Sequence, residues 1–198
     1  LLLTRQGKGI RFDLDQGSHQ GRAARGVRGM GLEPKDEICA MTLAPADDED
    51  RKVQVAVFTD EGAMKRTPLA DHPRQRRGGK GLSLIFQRAK KPNRCIAVSI
   101  AERSTRFEVV DSEGHEHPLE AEAIPSTVRD GRGHNPVKLK RGISLLTVGR
   151  LPDLPPEEES SEEEGEAAPE AQEAHEPEEA AEKLAPVQAP DGGAASGE

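Results

Sequence analysis

Short apolar runs separated by polar turns extend through residues 1–150 of the chain. Three of these runs open similar segments, in which a glycine turn and a second short run follow. The opening runs are residues 1–3, 53–58 and 107–110, and the runs that close the segments are residues 38–41, 95–100 and 143–148. Runs of this length are typical of β-strands, and no part of this region keeps a helical period over three turns. The pattern predicts an all-β body, with Ile96, Val98, Leu145 and Val148 in its interior.

The three segments follow one template. A turn glycine is followed 19 residues later by a loop glycine, and the residue before the loop glycine is always basic. The turn glycines are Gly7, Gly62 and Gly114, and the loop glycines are Gly26, Gly81 and Gly133. Successive copies are offset by 55 and 52 residues, a period typical of propeller-like arrays with one supersecondary unit per copy. We predict repeats at residues 1–50, 53–104 and 105–150, with basic loops on corresponding edges of the blades.

Charge divides the chain into two unlike parts. Residues 1–150 hold 27 Lys and Arg against 20 Asp and Glu, a net charge of +7, whereas residues 151–198 hold 1 against 16, a net charge of −15. A basic body with an acidic tail is typical of a nucleic-acid binder that carries its own competitor. The tail is rich in Glu, Ala and Pro and cannot bury enough apolar surface to offset its ordering entropy, so we predict that it is disordered.

The basic loops have the chemistry of a phosphate-binding surface. Arginine is a planar cation with several donors and lysine is a mobile point charge, and both suit phosphate. The glycines between them permit positive φ and let main-chain N–H groups approach phosphate oxygens. Few side chains in these loops suit the edges of bases, so the predicted binding tolerates any sequence and depends strongly on salt. Ordinary solvated surface is the alternative for a single loop, but three loops at matched positions favour a binding role.

Other motifs carry less functional information. Cys39 and Cys95 lie alone in apolar runs and are interpreted as buried free thiols, with a disulfide or a metal pair as the alternative. His115, Glu116 and His117 offer two imidazoles and a carboxylate to a metal. They fall on the predicted turn of the third repeat, however, where alternating histidines usually face solvent.

The glycine-rich loop of the second repeat is not a nucleotide-binding phosphate loop. Arg74 and Gly81 stand where that motif requires glycine and a Ser or Thr. The chain has four Phe and neither Tyr nor Trp, which disfavours binding of single strands by base stacking and excludes a catalytic tyrosine. It contains no apolar run near 18 residues and no secretory signal, so we predict a cytoplasmic protein. Because the sequence starts inside an apolar run without Met, we expect it to be the C-terminal piece of a longer protein.

Three stretches resemble one known family. Residues 75–81, Gln-Arg-Arg-Gly-Gly-Lys-Gly, match the seven-residue box of the DNA gyrase A subunit. Residues 21–30 resemble the loop of a later blade of the same domain, and residues 62–69 resemble the strand before a box. The resemblance covers residues 1–150 and implies a β-pinwheel, a propeller-like disc of four-stranded blades whose basic rim wraps duplex DNA. The predicted DNA-binding residues are Gln75, Arg76, Arg77, Gly78, Gly79, Lys80, Gly81, Arg22, Arg25, Arg28, Lys65, Arg66 and Arg132.

The resemblance also implies a wider context. In the family this domain follows the breakage–reunion region of an ATP-dependent type IIA topoisomerase, and wrapping of positive handedness lets strand passage introduce negative supercoils. The implied partners are duplex DNA, the ATPase B subunit and the rest of the A subunit, in the bacterial cytoplasm on the nucleoid, with no membrane contact. ATP and Mg²⁺ are expected only on the rest of the enzyme, so we predict no cofactor, no metal and no catalytic residue in this chain. The acidic tail is expected to compete with DNA for the basic loops, with a purely solubilising role as the alternative.

Several features depart from the family pattern. The full box lies in the second repeat rather than in a first blade, the loop at residues 130–134 is degenerate, and three repeats are visible where gyrase usually has six. These departures leave open the related topoisomerase IV A subunit, whose blades are fewer and whose boxes are degenerate. A stand-alone basic module, for RNA or for protein interaction, is the alternative from another functional class.

Overall fold

The computed structural model describes residues 1–17, 21–46, 52–88, 92 and 94–152. These residues form ten β-strands and three single-turn 3-10 helices and contain no α-helix, which confirms the predicted all-β class. No helix in the described ranges is long and apolar enough to cross a membrane. The tail predicted to be disordered lies, from residue 153 onward, outside the described residues. The strands are β1 (Leu2–Thr4), β2 (Lys8–Ile10), β3 (Ile38–Met41), β4 (Gln54–Thr59), β5 (Met64–Pro68), β6 (Leu82–Ser83), β7 (Cys95–Ala101), β8 (Arg106–Asp111), β9 (Glu116–Glu120) and β10 (Leu145–Arg150).

Each repeat builds a small antiparallel sheet, or blade, around its opening strand. The central strands are β1, β4 and β8, and each pairs with the strand after its turn and with the closing strand of its repeat. The turn glycines Gly7, Gly62 and Gly114 have φ values of 82°, 83° and 84°. Residues with a side chain rarely adopt this left-handed conformation, so the tight turns explain why glycine occupies all three positions. The predicted strand–turn–strand repeat is confirmed in all three copies.

The fourth strand of the first blade comes from the second repeat. β6 follows the second basic loop, yet it pairs with β2 and places Leu82 opposite Gly9. The second blade receives an equivalent bridge from the third repeat, between Met64 and His134. Gly9 and Met64 differ by 55 residues, and Leu82 and His134 by 52, so both connections follow the repeat. Each of these basic loops therefore completes the blade before it, so the supersecondary unit of one copy is finished by the next copy.

The apolar cores lie between blades. β4 is buried on both faces, because Val55 and Val57 pack in the core shared with the first blade and Ala56 and Phe58 in the core shared with the third. The rings of Phe58 and Phe107 meet edge to face with their centroids 5.1 Å apart, a favourable geometry for aromatic pairs. Burial on both faces explains why residues 55–58 of the opening run of the second repeat are continuously apolar.

The predicted interior residues all belong to, or pack against, these cores. Val98 and Leu145 are buried, whereas Ile96 and Val148 are half-buried against the core between the second and third blades.

Both cysteines are free thiols in strands, as predicted. Cys95 is buried at the start of β7 and Cys39 is half-buried in β3. Burial raises the pKa of the Cys39 thiol to about 11 and also raises the pKa of Cys95. Neither thiol is therefore a thiolate at neutral pH, as expected for structural cysteines.

Candidate nucleic-acid interface

The box of residues 75–81 forms a bulge at the edge of the first blade. It begins after Arg74, which forms a parallel bridge with Arg11, and it ends at Leu82 in β6. Hydrogen bonds fix the box beside the basic loop of the first repeat: Gly78 N–H donates to the carbonyl of Gly29 at 2.8 Å, and Gly31 N–H, just after the loop, donates to the carbonyl of Gly79 at 2.9 Å. The structure therefore brings two of the predicted DNA-binding loops together as one surface.

The main-chain N–H groups of the box are largely consumed within the protein. Four of them donate hydrogen bonds of 2.7–3.2 Å. The donors are Gln75, Arg77, Gly78 and Gly79, and the acceptors are the Arg11 carbonyl, the Gln16 side-chain oxygen, the Gly29 carbonyl and the Arg76 carbonyl, in that order. The expectation that these glycines present free N–H groups to phosphate is corrected at these positions, because the same groups close the bulge. Contacts with a polyanion from this part of the box thus fall to its side chains.

Arg77 is a brace between two loops. Its Nε donates to the carbonyl of Gln16 and its Nη1 to the carbonyl of Arg28, each at 2.7 Å. Arg129, its counterpart 52 residues later, makes the corresponding Nη1 bond to the carbonyl of Ser83 at 3.2 Å. Both guanidinium groups join a basic loop to the preceding repeat. Arg77 therefore positions the box, and only its remaining N–H groups are left for DNA.

Arg76 and Lys80 are the exposed cations of the box. The Arg76 side chain forms no ion pair with any described residue. The Lys80 side chain is 82% exposed, and its Nζ lies 3.8 Å from Oε1 of Glu33, which also binds Lys8 at 3.3 Å. An ion pair this exposed contributes little, so a phosphate can displace Glu33 from Lys80.

Gly81 ends the box in close contact with the blade before it. Its φ is 71°, and a Cβ at this position would lie 2.5 Å from the carbonyl oxygen of Gly9. Gly133 holds the corresponding place in the third repeat, where a Cβ would lie 3.1 Å from the main-chain nitrogen of Met64. Gly26, the equivalent residue of the first repeat, has a φ of 81° but no atom within 4 Å of its Cβ position. Strand exchange between blades thus requires the glycine at the second and third positions.

Lys65 and Arg66 are not at the surface. Arg66 is 7% exposed and donates from Nε to the carbonyl of Ile124 at 2.7 Å. Lys65 is fully buried, and its Nζ faces three carbonyls of the third basic loop, those of Val128, Arg129 and Gly131. Burial lowers the pKa of Lys65 to about 8, so the ammonium still holds its proton at pH 7. The Lys65 side chain braces the third loop against β5, and the Arg66 side chain ties β5 to the 3-10 turn before that loop, so neither is placed for the predicted contact with DNA.

The remaining predicted cations are exposed. Arg132 lies with its guanidinium 4.9 Å from the centroid of the Phe86 ring, a cation–π contact that holds the side chain over the second repeat. Gln75 is half-buried, and the box glycines shape the bulge. The exposed cations that the structure places on the joined loops are Arg22, Arg25, Arg28, Arg76, Lys80 and Arg132.

The turn of the third repeat is a hydrogen-bonded cluster. Asp111 is buried, and its Oδ2 lies 3.0 Å from Nε2 of His117 and 3.3 Å from Nδ1 of His115. These contacts, led by the one from His117, hold the pKa of Asp111 well below its usual range. No group of three or more His, Cys, Asp or Glu side chains able to hold a metal occurs among the described residues. The two imidazoles tie the turn to a buried carboxylate, which is a structural role.

Known proteins resemble this chain in sequence. Residues 1–43 and 54–102 match the family described as the DNA gyrase C-terminal domain, beta-propeller. The DNA gyrase A subunit of Deinococcus deserti is 27% identical over 150 residues, which cover 75% of this chain and 18% of that protein. The DNA gyrase A subunit of Kosmotoga olearia is 30% identical over 153 residues, which cover 77% of this chain and 18% of that protein. This chain therefore spans less than a fifth of the length of either relative.

Two solved structures share the fold. The C-terminal domain of DNA topoisomerase IV superposes with a TM-score of 0.66 and 21% identity, over 76% of this chain and 45% of that one. The DNA gyrase A C-terminal domain superposes with a TM-score of 0.63 and 18% identity, over 75% of this chain and 49% of that one. At these identities the likeness is one of fold alone, and it confirms the predicted β-pinwheel.

Proposed function

We propose that this chain, which belongs to the DNA gyrase C-terminal β-propeller domain family, binds and wraps duplex DNA as the non-catalytic C-terminal part of a type IIA topoisomerase A subunit. The observation that carries the proposal is a repeated contact between the segment that follows one basic loop and the next basic loop. The 2.9 Å bond from Gly31 N–H to Gly79 recurs one repeat later as a 3.0 Å bond from Phe86 N–H to Gly131. Successive basic loops are fixed side by side by the same contact, as a continuous track for a polyanion requires.

The exposed cations favour contact with the sugar–phosphate backbone. They are arginines and lysines on loops whose main-chain geometry is fixed by the blades, without a helix or ribbon to enter a groove. A duplex that follows several loops must bend, and bending 20–30 bp by 40–90° costs about 1–6 kcal/mol. Phosphate contacts from successive blades offset that cost. The resulting binding tolerates any sequence and weakens steeply with salt.

The free side of the first blade suits a further blade of the same subunit. Leu2 corresponds in the repeat to Val57 and Val109, which are buried against the preceding blade. Leu2 instead packs only in a small cluster with Ile10 and Met30. A groove of about 690 Å³ opens beside Leu2, and three side chains near it are 72–75% exposed: Leu14, Met41 and Leu43. A preceding blade would cover this apolar surface, so the rest of the A subunit is a proposed partner.

The chemical steps belong, on this proposal, to other parts of the enzyme. A chain without tyrosine supplies DNA geometry and not strand cleavage. ATP and Mg²⁺ would bind elsewhere in the assembly, and the ATPase B subunit would join through the rest of the A subunit. The proposed place of action is the nucleoid in the bacterial cytoplasm.

Duplex DNA is expected to bind this chain more tightly than single-stranded RNA of the same length. Titrations at several salt concentrations should give a log–log slope of about −0.9 for each phosphate contact, with two unrelated duplex sequences binding equally. A module for RNA would prefer A-form or single strands. Tighter binding of the RNA, or strong preference for one duplex sequence, would contradict the proposal.

A further inference from the structure

In the first and third repeats, a second loop of matched geometry lies between the basic loop and the last strand. We call it the closing loop, residues 30–37 in the first repeat and 137–144 in the third. Each contains a turn in which a carbonyl accepts a 3.1 Å bond from the N–H three residues later, at Glu33 to Asp36 and at Lys140 to Ile143. The third residue of each turn has a positive φ, 66° at Lys35 and 90° at Gly142. Because the two turns share a backbone, their side chains can be compared position by position.

The third closing loop is anchored over the tight turn of the second blade. Asn135, just before it, donates from Nδ2 to the carbonyl of Glu61 at 3.2 Å. Leu139 is partly buried in the core between the second and third blades, with Cδ1 3.1 Å from the Cβ position of Gly62. At the far end of the loop, Leu145 N–H donates to the carbonyl of Asp60 at 2.7 Å. The backbone that carries the charged side chains is therefore fixed at both ends and in the middle.

The two closing loops carry opposite charge. The first is acidic, with Glu33, Asp36 and Glu37, and its glutamates bind Lys8, Lys80 and Arg5. The third is basic, with Lys138, Lys140 and Arg141, all of them exposed. None of these three cations forms an ion pair with a described residue. Three unpaired positive charges on a fixed backbone are a ready site for a polyanion, because little ordering entropy remains to be lost on binding.

The third basic loop has few cations to offer DNA. Arg129 is occupied as the brace to Ser83, and Asp130 places a carboxylate within the loop. Arg132 is the exposed cation that remains, over Phe86. If DNA follows the repeats in order, its phosphates need another source of positive charge beside the third basic loop.

We propose that the third closing loop is a second phosphate-binding element, in which Lys138, Lys140 and Arg141 take the backbone of the same duplex that the box binds. This inference rests on the proposed function. It assigns part of the DNA contact of the third repeat to a loop outside its basic loop.

The test compares two triple glutamine variants of the full chain, because glutamine keeps a long side chain and removes the charge. The first is K138Q/K140Q/R141Q. The matched control is R103Q/R106Q/R150Q, which also removes three charges. The closing loop leads into Leu145, which pairs with Asp111 at one end of β8 and β10, whereas Arg150 pairs with Phe107 at the other end. Affinity for a long duplex is measured by titration over a range of salt, and thermal unfolding shows that each variant folds.

The closing-loop variant should lose at least tenfold in affinity for the duplex at about 0.1 M salt, and its log–log salt slope should be shallower by about 2.7. The salt slope of the control variant should change by less than about 0.9. Equal losses in both variants, or no loss in the first, would overturn the inference. Tighter DNA binding by the first variant would overturn it too, and would indicate that the loop holds the acidic tail. Failure of the proposed function is a separate result: the unaltered chain would then show no duplex-specific binding to lose.

Discussion

Replacing Arg76, Arg77 and Lys80 together with alanine is expected to weaken the binding of duplex DNA of any sequence. On the counterion-release relation each lost phosphate contact makes the log–log salt slope shallower by about 0.9, which corresponds to about eightfold in affinity at 0.1 M salt. The cause is the removal of the two exposed cations of the box together with the arginine that positions it. Anisotropy titrations at several salt concentrations measure both quantities.

The structure divides this effect between two kinds of residue. In the double variant R76A/K80A the log–log salt slope of DNA binding should become shallower by about 1.8. Its unfolding free energy should stay unchanged, since both side chains are exposed. R77A alone should lower the unfolding free energy by about 1–3 kcal/mol, because two charged donors to carbonyls disappear. R103A/R106A/R150A is the charge-matched control. An unchanged affinity and slope in the triple box variant would reject the box as a DNA-binding element.

Gly81→Ala is expected to lower the unfolding free energy by about 3 kcal/mol. The left-handed backbone costs about 1–2 kcal/mol with any Cβ, and relieving the overpacked contact costs about 1–3 kcal/mol more. That contact is severe, because the new Cβ would lie 2.5 Å from the carbonyl oxygen of Gly9. Urea unfolding followed by far-UV circular dichroism measures the difference.

Gly26→Ala is the matched control for this prediction. Gly26 has nearly the same φ, 81°, at the same position of the repeat, but no atom lies within 4 Å of its Cβ position. Alanine there should show only the backbone cost of about 1–2 kcal/mol. Equal losses in the two variants would contradict the role assigned to Gly81 in strand exchange.

Local patterns in the sequence predict the parts of the fold that depend on local geometry. The turn glycines Gly7, Gly62 and Gly114 are needed for positive φ, and the apolar runs around them become the central strands. β6 could not be predicted in the same way, because a strand of two residues has no hydrophobic period and its partner lies in another repeat. Exchange between repeats is a tertiary property, and it places the second and third basic loops on the blade before their own.

The candidate site shows the same division. Charge and glycine spacing predict that the box and the loop of the first repeat lie on one surface, and the bond from Gly78 to Gly29 confirms that they meet. Sequence could not show that Lys65 is buried, because the loop that covers it begins more than 60 residues later. Nor could it separate Arg76 from Arg77, adjacent cations of which one is exposed and the other braces two loops.

The most direct test of the central claim is the end-to-end length of a long duplex held under low tension while the full chain is added. Wrapping predicts that the duplex shortens, that the shortening is the same for unrelated sequences, and that it is lost at high salt and much reduced in R76A/K80A. Binding that saturates the duplex without shortening it, or shortening that R76A/K80A leaves unchanged, would contradict wrapping along the basic loops.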